Sequence, residues 1–439
     1  MNGSYTCSCA KGKGDGRTSC TEDSLLKPLL IGIFSSLLGG PVISGAIFWL
    51  VQKRKQVLLR RKYFLQNRGL LLHEYISSDR GRRKATIFSE AELVKATNNF
   101  SEDLQVGVGG FGNVYQGKLE EGRLVAIKQC KEVNDVLIDQ FINEVIILSQ
   151  IDHRNIIKLL GCCLETRIPL LVYEYVSNGT LSDHLYGKHE IKFLTWDMRL
   201  QIAIETAEAL AYLHSAASVP IVHRDIKSAN ILLDSTNSAK LSDFGLSCLM
   251  PMDNSHLTTG VKGTLGYVDP HYYKTLQLTD KTDIYSFAVV MVELLTSMKP
   301  MSVGRAKEER ILADLFLSRK SQGLLAELFD TRLLIKDHME SMTMVANLAE
   351  ACLNEDVNKR PSMKEVVQEL LLISGGKMRV TGGAHASVSQ KDLKVMNEEE
   401  RSGPVVLQGR SHQLKKTMTF NIKSRVSHSS PPSIISSIF

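Results

Sequence analysis

The sequence predicts an α+β fold of two lobes, a small β-rich lobe followed by a larger helical one, preceded by a single transmembrane helix. Three observations carry this. Pro28–Val51 is a run of 24 residues without a charge, longer than the roughly 20 apolar residues a bilayer core requires. Upstream of the turn signal Ser177-Asn178-Gly179 lie apolar strand-like runs, Leu124–Lys128 and Leu170–Val176, and a glycine-rich hairpin at Val106–Tyr115. Such runs bounded by turn residues form a sheet. Downstream the apolar period becomes helical, as in Met198–Ile204 and in Ala207, Leu210, Ala211 and Leu213, spaced at three and four residues.

The uncharged run is too long for a signal-peptide h-region of about 7–15 residues, and no apolar segment precedes it. Trp49 stands at its end, and Lys53-Arg54-Lys55 and Arg60-Arg61-Lys62 follow at once. Lys and Arg accumulate on the cytoplasmic side of a span. This orientation makes the chain a single-pass plasma-membrane protein with residues 1–27 outside and everything after Val51 in the cytosol. The same basic run suits anionic lipid headgroups. Residues 63–86 are expected as a solvated juxtamembrane linker.

The formal charge of +6 is unevenly spread. Residues 52–84 hold 11 Lys/Arg against 2 Asp/Glu, residues 374–439 hold 10 against 4, and residues 1–27 hold 4 against 3, so residues 85–373 are left at −10. An acidic globular part argues against nucleic acid as a partner, because nucleic-acid binding needs a basic face. Of the eight cysteines, Cys7, Cys9 and Cys20 crowd the start. The others, Cys130, Cys162, Cys163, Cys248 and Cys352, fall in apolar surroundings and are expected as small buried hydrophobes of a reducing compartment.

Phe88–Phe100 has the pattern of a short amphipathic helix with Ser89 as N-cap and Glu92 three residues on, a capping box. The glycines Gly107, Gly109 and Gly112 come next. A dinucleotide site would need them to open a helix, but Asn113-Val114-Tyr115 continues as strand, so they form a hairpin able to cover phosphates. Leu124-Val125-Ala126-Ile127-Lys128 puts one lysine in an apolar strand. Strand lysines are mostly solvated charges. Here the helix Phe141–Leu148 brings Glu144 beside its apolar face, where it can reach Lys128.

The stretch His223-Arg224-Asp225-Ile226-Lys227-Ser228-Ala229-Asn230, with Asp243-Phe244-Gly245 downstream, carries the chemistry. Either tripeptide alone is weak evidence. Together they give a base, Asp225, and two oxygen ligands for a metal, Asn230 and Asp243, which is what phosphoryl transfer asks of a protein.

In these motifs residues 85–373 resemble the protein-kinase fold. Within it they resemble the plant receptor-like serine/threonine kinases, of which the wall-associated group shares Ile87-Phe88-Ser89-Glu90-Ala91-Glu92-Leu93-Val94-Lys95-Ala96-Thr97-Asn98-Asn99-Phe100. The resemblance implies ATP as phosphoryl donor and Mg²⁺ (or Mn²⁺) as cofactor. It implies protein Ser/Thr hydroxyls as acceptors and homo- or hetero-oligomers with other receptor kinases as assemblies. By residue it implies Asp225 as proton acceptor and Lys227 on the γ-phosphate, with Asn230 and Asp243 on the metal. ATP would meet Gly107, Gly109, Gly112, Val114, Ala126, Lys128, Glu144, Leu232 and the hinge residues Glu174 and Val176, with Tyr173 as gatekeeper. Arg224 would pair with a phosphorylated activation loop, Thr258 and Thr259 being its acceptors, with Ser255 a further hydroxyl in that loop. Asp283 would anchor the catalytic-loop backbone, and Leu148, Leu159, His223 and Phe244 would stack as a spine.

The divisions that follow are 1–27 outside, 28–51 in the membrane, 52–100 as basic juxtamembrane segment, 101–373 as kinase domain and 374–439 as a disordered tail. Residues 1–27 resemble the closing part of an EGF-like module, which implies a Cys9–Cys20 pairing and a truncated ectodomain. Two departures are expected to matter. Where the family ends its loop in an acidic residue that pairs with an arginine like Arg360, this chain has Asp269-Pro270-His271. A histidine there would leave Arg360 without a carboxylate, and with it arises the alternative of an inactive scaffold. Ala288 stands in place of a glycine and is expected to disturb the segment around it.

Overall fold

The computed structural model describes residues 23–78, 85–108, 112–130, 134–187, 193–217, 219–250 and 256–381, with the side chains of 23–30, 33–39, 76–78, 336 and 376–381 outside that set. The EGF-like stretch, Gly109, Ser255 and the tail from 382 therefore lie outside the described residues. The described residues up to Met378 form one compact unit.

Helix α1, Asp23–Gln66, takes in the whole uncharged run and continues through the basic clusters. Among the described residues no helix is long and apolar enough to cross a membrane. A corner at Asn67 and Arg68 leads into α2, Gly69–Ser78. The expectation of a solvated linker fails here, because Leu72 and Asn67 are buried. The high charge of this stretch obscures the triplet Leu70-Leu71-Leu72, whose last residue packs inward. Strand β1, Thr86–Ile87, then joins the edge of a sheet, and α3, Glu90–Ala96, begins with the capping box at Ser89 and Glu92.

The small lobe is built on β2 (Gln105–Val108), β3 (Gly112–Lys118), β4 (Leu124–Cys130), α4 (Asp135–Gln150), β5 (Leu159–Cys163) and β6 (Leu170–Glu174). Its six strands run in the order β1-β5-β6-β4-β3-β2. The β1–β5 pair is parallel, and the remaining neighbours are antiparallel. Alternation in β4 sends Val125 and Ile127 into a core with Leu93, Leu170 and Val172. Ala126 and Lys128 consequently face the other way, since successive strand residues point to opposite faces. Val114 lies opposite Lys128 and Tyr173 opposite Ala126. Gly112 is required where it stands, because a Cβ would come within 2.1 Å of the Gln129 carbonyl oxygen.

Gly179, at φ +70°, turns the chain into the helical lobe. This comprises α5 (Leu181–Tyr186), α6 (Trp196–Ala211), β7 (Ile221–Val222), β8 (Ile231–Leu233), β9 (Ala239–Leu241), β10 (Cys248–Leu249), β11 (Leu257–Thr258), α7 (Pro270–Thr275), β12 (Gln277–Leu278), α8 (Asp280–Thr296), α9 (Leu312–Ser321), α10 (Met339–Cys352) and α11 (Met363–Thr381). α8 is the axis of this lobe, buried from Thr282 to Thr296 and packed by α6, α9 and α10. Ala288 is fully buried inside it and the helix runs through without a break. Alanine is a better helix former than glycine, so the expected disturbance does not occur.

The departure at His271 is also resolved by the fold. Arg360 donates two parallel hydrogen bonds to Asp269, Nη1 to Oδ2 at 2.7 Å and Nη2 to Oδ1 at 2.9 Å. Both side chains are 1% exposed. Asp269 is the N-cap of α7 and also accepts from the His271 amide at 2.9 Å. The carboxylate has a place two residues earlier than expected, and Arg360 is not left unpaired. Removing one partner of such a buried pair costs about 3–5 kcal/mol. Asp269→Ala is therefore predicted to lower unfolding free energy by that amount in denaturant titrations, whereas His271→Glu changes it by no more than about 0.5 kcal/mol.

Candidate active site

Two clusters face each other between the lobes. In the first, Lys128 Nζ lies 2.7 Å from Asp243 Oδ1 and 3.3 Å from Glu144 Oε2. Glu144 is buried, its other oxygen accepting from the Tyr173 hydroxyl at 2.6 Å and the Phe244 amide at 3.3 Å. The hinge tyrosine, helix α4 and the Asp243-Phe244-Gly245 turn thus meet on one carboxylate. Burial by itself would lower the Lys128 pKa, but the Asp243 and Glu144 carboxylates outweigh it and hold the ammonium charged. Burial likewise raises the Asp243 carboxyl, and Lys128 more than reverses this, leaving it below the usual range. Asp243 adopts a left-handed backbone, φ 68°, a conformation that non-glycine residues keep only where surrounding contacts impose it.

In the second cluster Asp225 is the common acceptor. Its Oδ2 takes Lys227 Nζ at 2.6 Å and Asn230 Nδ2 at 3.2 Å, and its Oδ1 takes the Thr264 hydroxyl at 2.6 Å. Lys227 also donates to Thr264 Oγ1 at 2.9 Å. Because the Asn230 amide nitrogen also donates to the Asp225 carbonyl at 2.9 Å, its oxygen is turned the other way. Ser242 donates twice to the Asn230 carbonyl, at 2.9 Å from both its amide and its hydroxyl, which ties the catalytic loop to the residue before Asp243.

The loop backbone is held from below. Asp283, fully buried in α8, accepts the amides of His223 at 2.8 Å and Arg224 at 2.9 Å, and the ring of His214 at 2.8 Å. Burial raises its carboxyl, and these hydrogen bonds, with His214 foremost, bring it below the ordinary range. The rings of His223 and Phe244 meet edge to face at 4.7 Å, and Leu148 and Leu159 are buried.

Arg224, itself at φ 72°, reaches the segment around residue 260. It donates to the Tyr272 hydroxyl at 2.6 Å, the Gly260 carbonyl at 3.0 Å, Cys248 Sγ at 3.1 Å and Thr259 Oγ1 at 3.4 Å. Thr258 is exposed on β11. At the connection between lobes, the Glu174 amide is bonded to the Lys158 carbonyl at 3.0 Å, and its carboxylate pairs with Lys240 at 3.0 Å. The segment after it, carrying half-buried Val176, is stitched to β8 by Asn178 to Leu233 at 3.0 Å and Leu233 to Gly179 at 2.9 Å. This sets Leu232 beside the connection. Gly107 on β2 and Val114 on β3 complete the described part of the hairpin.

A divalent ion would find hard oxygen donors in Asn230 and Asp243. Among the described residues no group of three or more His, Cys, Asp or Glu could hold a metal, so one carboxylate and one amide would share the ion with phosphates, the arrangement Mg²⁺ favours. Of the cysteines, Cys162, Cys163 and Cys352 are buried, while Cys130 and Cys248 are half-buried.

Residues 100–372 match the family model described as Protein kinase domain. This is more than half of the 439 residues, and the chain belongs to the protein kinase family. It is similar to wall-associated receptor kinase-like 1 of Arabidopsis thaliana, at 45% identity over 387 residues, 87% of this chain and 51% of that protein. Wall-associated receptor kinase-like 3 of the same plant is 46% identical over 393 residues, 88% of this chain and 52% of the relative. Wall-associated receptor kinase 3 is 46% identical over 343 residues, 78% and 46% of the two chains. The chain spans about half the length of these curated relatives.

Sequence reasoning missed one participant. Glu293 in α8 is fully buried, and its Oε1 accepts three hydroxyls, Ser228 at 2.8 Å, Tyr186 at 2.9 Å and Tyr267 at 2.9 Å. It joins the catalytic loop, α5 and the segment after Thr264. Its signal was available, since it is the lone acidic residue in the apolar run Ile284–Thr296. Burial pushes its carboxyl up to about 7, against the pull of the three hydroxyls. The folded chain holds a proton that the unfolded chain releases near 4.5. That stabilisation is complete below the unfolded value and is lost as pH rises through about 7. Glu293→Gln is predicted to abolish a loss of about 3 kcal/mol in unfolding free energy between pH 5 and 8, measured by urea titration at each pH.

Proposed function

We propose that the chain is a membrane-anchored receptor-like kinase that transfers the γ-phosphoryl group of ATP to Ser/Thr hydroxyls of proteins, its own activation loop among them. The observation that carries this is Asp225. It already accepts a threonine hydroxyl, from Thr264 at 2.6 Å, with the Lys227 ammonium 2.6 Å from its other oxygen. An acceptor hydroxyl in the same position gives its proton to Asp225 as its oxygen attacks the γ-phosphorus. The bond from that phosphorus to the β,γ-bridging oxygen breaks, and ADP carries the electron pair away. Lys227 balances charge on the transferred group, and Lys128, positioned by Glu144, holds the α- and β-phosphates.

Asn230 and Asp243 would hold Mg²⁺, or Mn²⁺ with the same donors, and the bound ion neutralises phosphate charge. The hairpin of Gly107, Gly109, Gly112 and Val114 covers the phosphates. Ala126, Leu232, Glu174 and Val176 enclose the base, with Glu174 serving as acceptor because its amide is bonded to Lys158. Arg224 is the receptor for a phosphate on Thr258 or Thr259, since its guanidinium lies 3.4 Å from the Thr259 hydroxyl. Such charge-assisted pairs order activation loops.

For the rest of the chain, Pro28–Val51, whose side chains are only partly among the described residues, is taken as a single plasma-membrane span on the strength of its 24 uncharged residues, about 36 Å as helix. Its N-terminal end lies outside, and the basic end and kinase domain lie in the cytosol, where protein substrates and other receptor kinases are its partners. The inactive-scaffold alternative rests on His271; against it stands the Asp269–Arg360 pair, which keeps Arg360 on a carboxylate.

Asp225→Asn is predicted to lower ³²P incorporation from Mg-ATP into the full chain and into Ser/Thr peptides by about 10²–10⁴-fold. Equal incorporation by the variant and the native chain would overturn the assignment.

A further inference from the structure

Residues 67–75 sit against α4, the helix that carries Glu144. Asn67 is buried, and its amide donates to the carbonyls of Leu164 at 3.0 Å and Thr166 at 2.9 Å. The corner is thereby fastened to the loop after β5. Arg68, at φ 54°, sends its guanidinium to Asp139 of α4 at 2.7 Å. Leu72 is fully buried, and the Tyr75 hydroxyl is bonded to Gln150, the last residue of α4. Gly69 makes the bend feasible, because a Cβ there would lie 2.6 Å from the Phe64 ring.

Asp139 and Gln150 are eleven residues apart, about 16 Å along the axis and within about 20° of one another around it. Glu144 lies about 140° round the helix from Asp139. α4 is thus held one turn in from its start and at its last residue along one stripe, while Glu144 projects from another. A helix held at two points on one stripe can neither slide nor roll, and those are the two movements that would withdraw Glu144 from Lys128.

We propose that Asn67, Arg68, Leu72 and Tyr75 form a clamp on α4 that positions Glu144 against Lys128. The clamp rests on the assignment of that ion pair to ATP binding. The corner follows Gln66 directly, so a turn or shift of α1 reaches α4 with no slack chain between them. These four are positioning residues, and none of them touches the reacting groups.

The test is a charge swap in the full chain, reconstituted in lipid nanodiscs. Arg68→Asp and Asp139→Arg each set like charges together, and the double variant restores the pair in reverse. Two quantities are read for each variant: kcat/KM for ATP in phosphoryl transfer, and amide exchange across residues 135–150. Each single variant is expected to lower kcat/KM about fivefold and to speed α4 exchange by about the same factor, with the double variant returning to within about twofold of the native chain in both. The Arg68–Asp139 pair is half-exposed, so the fold survives the change. Leu72→Ala is expected to speed α4 exchange without rescue. Single variants within about twofold of the native chain in both quantities, or a double variant no better than the singles, would overturn the clamp. Should the native chain transfer no phosphate, the kinase assignment falls, and the exchange measurement alone still decides the clamp.

Discussion

A half-buried ammonium between two carboxylates is the constraint on which the rest of the molecule depends. Lys128 lies 2.7 Å from Asp243 and 3.3 Å from Glu144, and each of the three comes from a different element. Glu144 is buried and the other two charges are half-buried. Such charges are stable when paired, so the pairing draws β4, α4 and the turn at Asp243 into one relative position. Tyr173 and the Phe244 amide add their hydrogen bonds to Glu144, bringing the hinge into the same agreement. The left-handed backbone at Asp243 is the local strain that this arrangement imposes.

The second constraint is Asp283, which fastens the strained turn at His223 and Arg224 to the most deeply buried helix of the large lobe. Small lobe and large lobe therefore each present a rigid half-site. Fixed charge of this kind is the main resource for phosphoryl transfer in a site of this class.

Much of this was legible in the sequence because it is written locally. The capping box at Ser89 and Glu92, the alternation in β4 and the helical face that carries Glu144 follow from the spacing of a few neighbours. The partner of Arg360 was not legible. The two residues are 91 positions apart, and sequence order gave no ground for preferring Asp269 over the site of His271. The N-cap geometry of α7 decides it, by turning the Asp269 carboxylate inward. Residues 63–86 misled for another reason. Their charge density resembles a solvated linker, while the contacts that order them, Asn67 to Leu164 and Arg68 to Asp139, are long-range. Glu293 escaped because a single acid in an apolar helix has no meaning until its three hydroxyl partners are brought to it.

The central claim is that Asp243 joins the lysine and the metal in one site. ATP affinity measured calorimetrically with and without Mg²⁺, in the native chain and in Asp243→Asn, tests it most directly. The account predicts that Mg²⁺ tightens ATP binding to the native chain by about tenfold or more, 1.4 kcal/mol, and leaves the variant unchanged. An equal gain from Mg²⁺ in both proteins would contradict it.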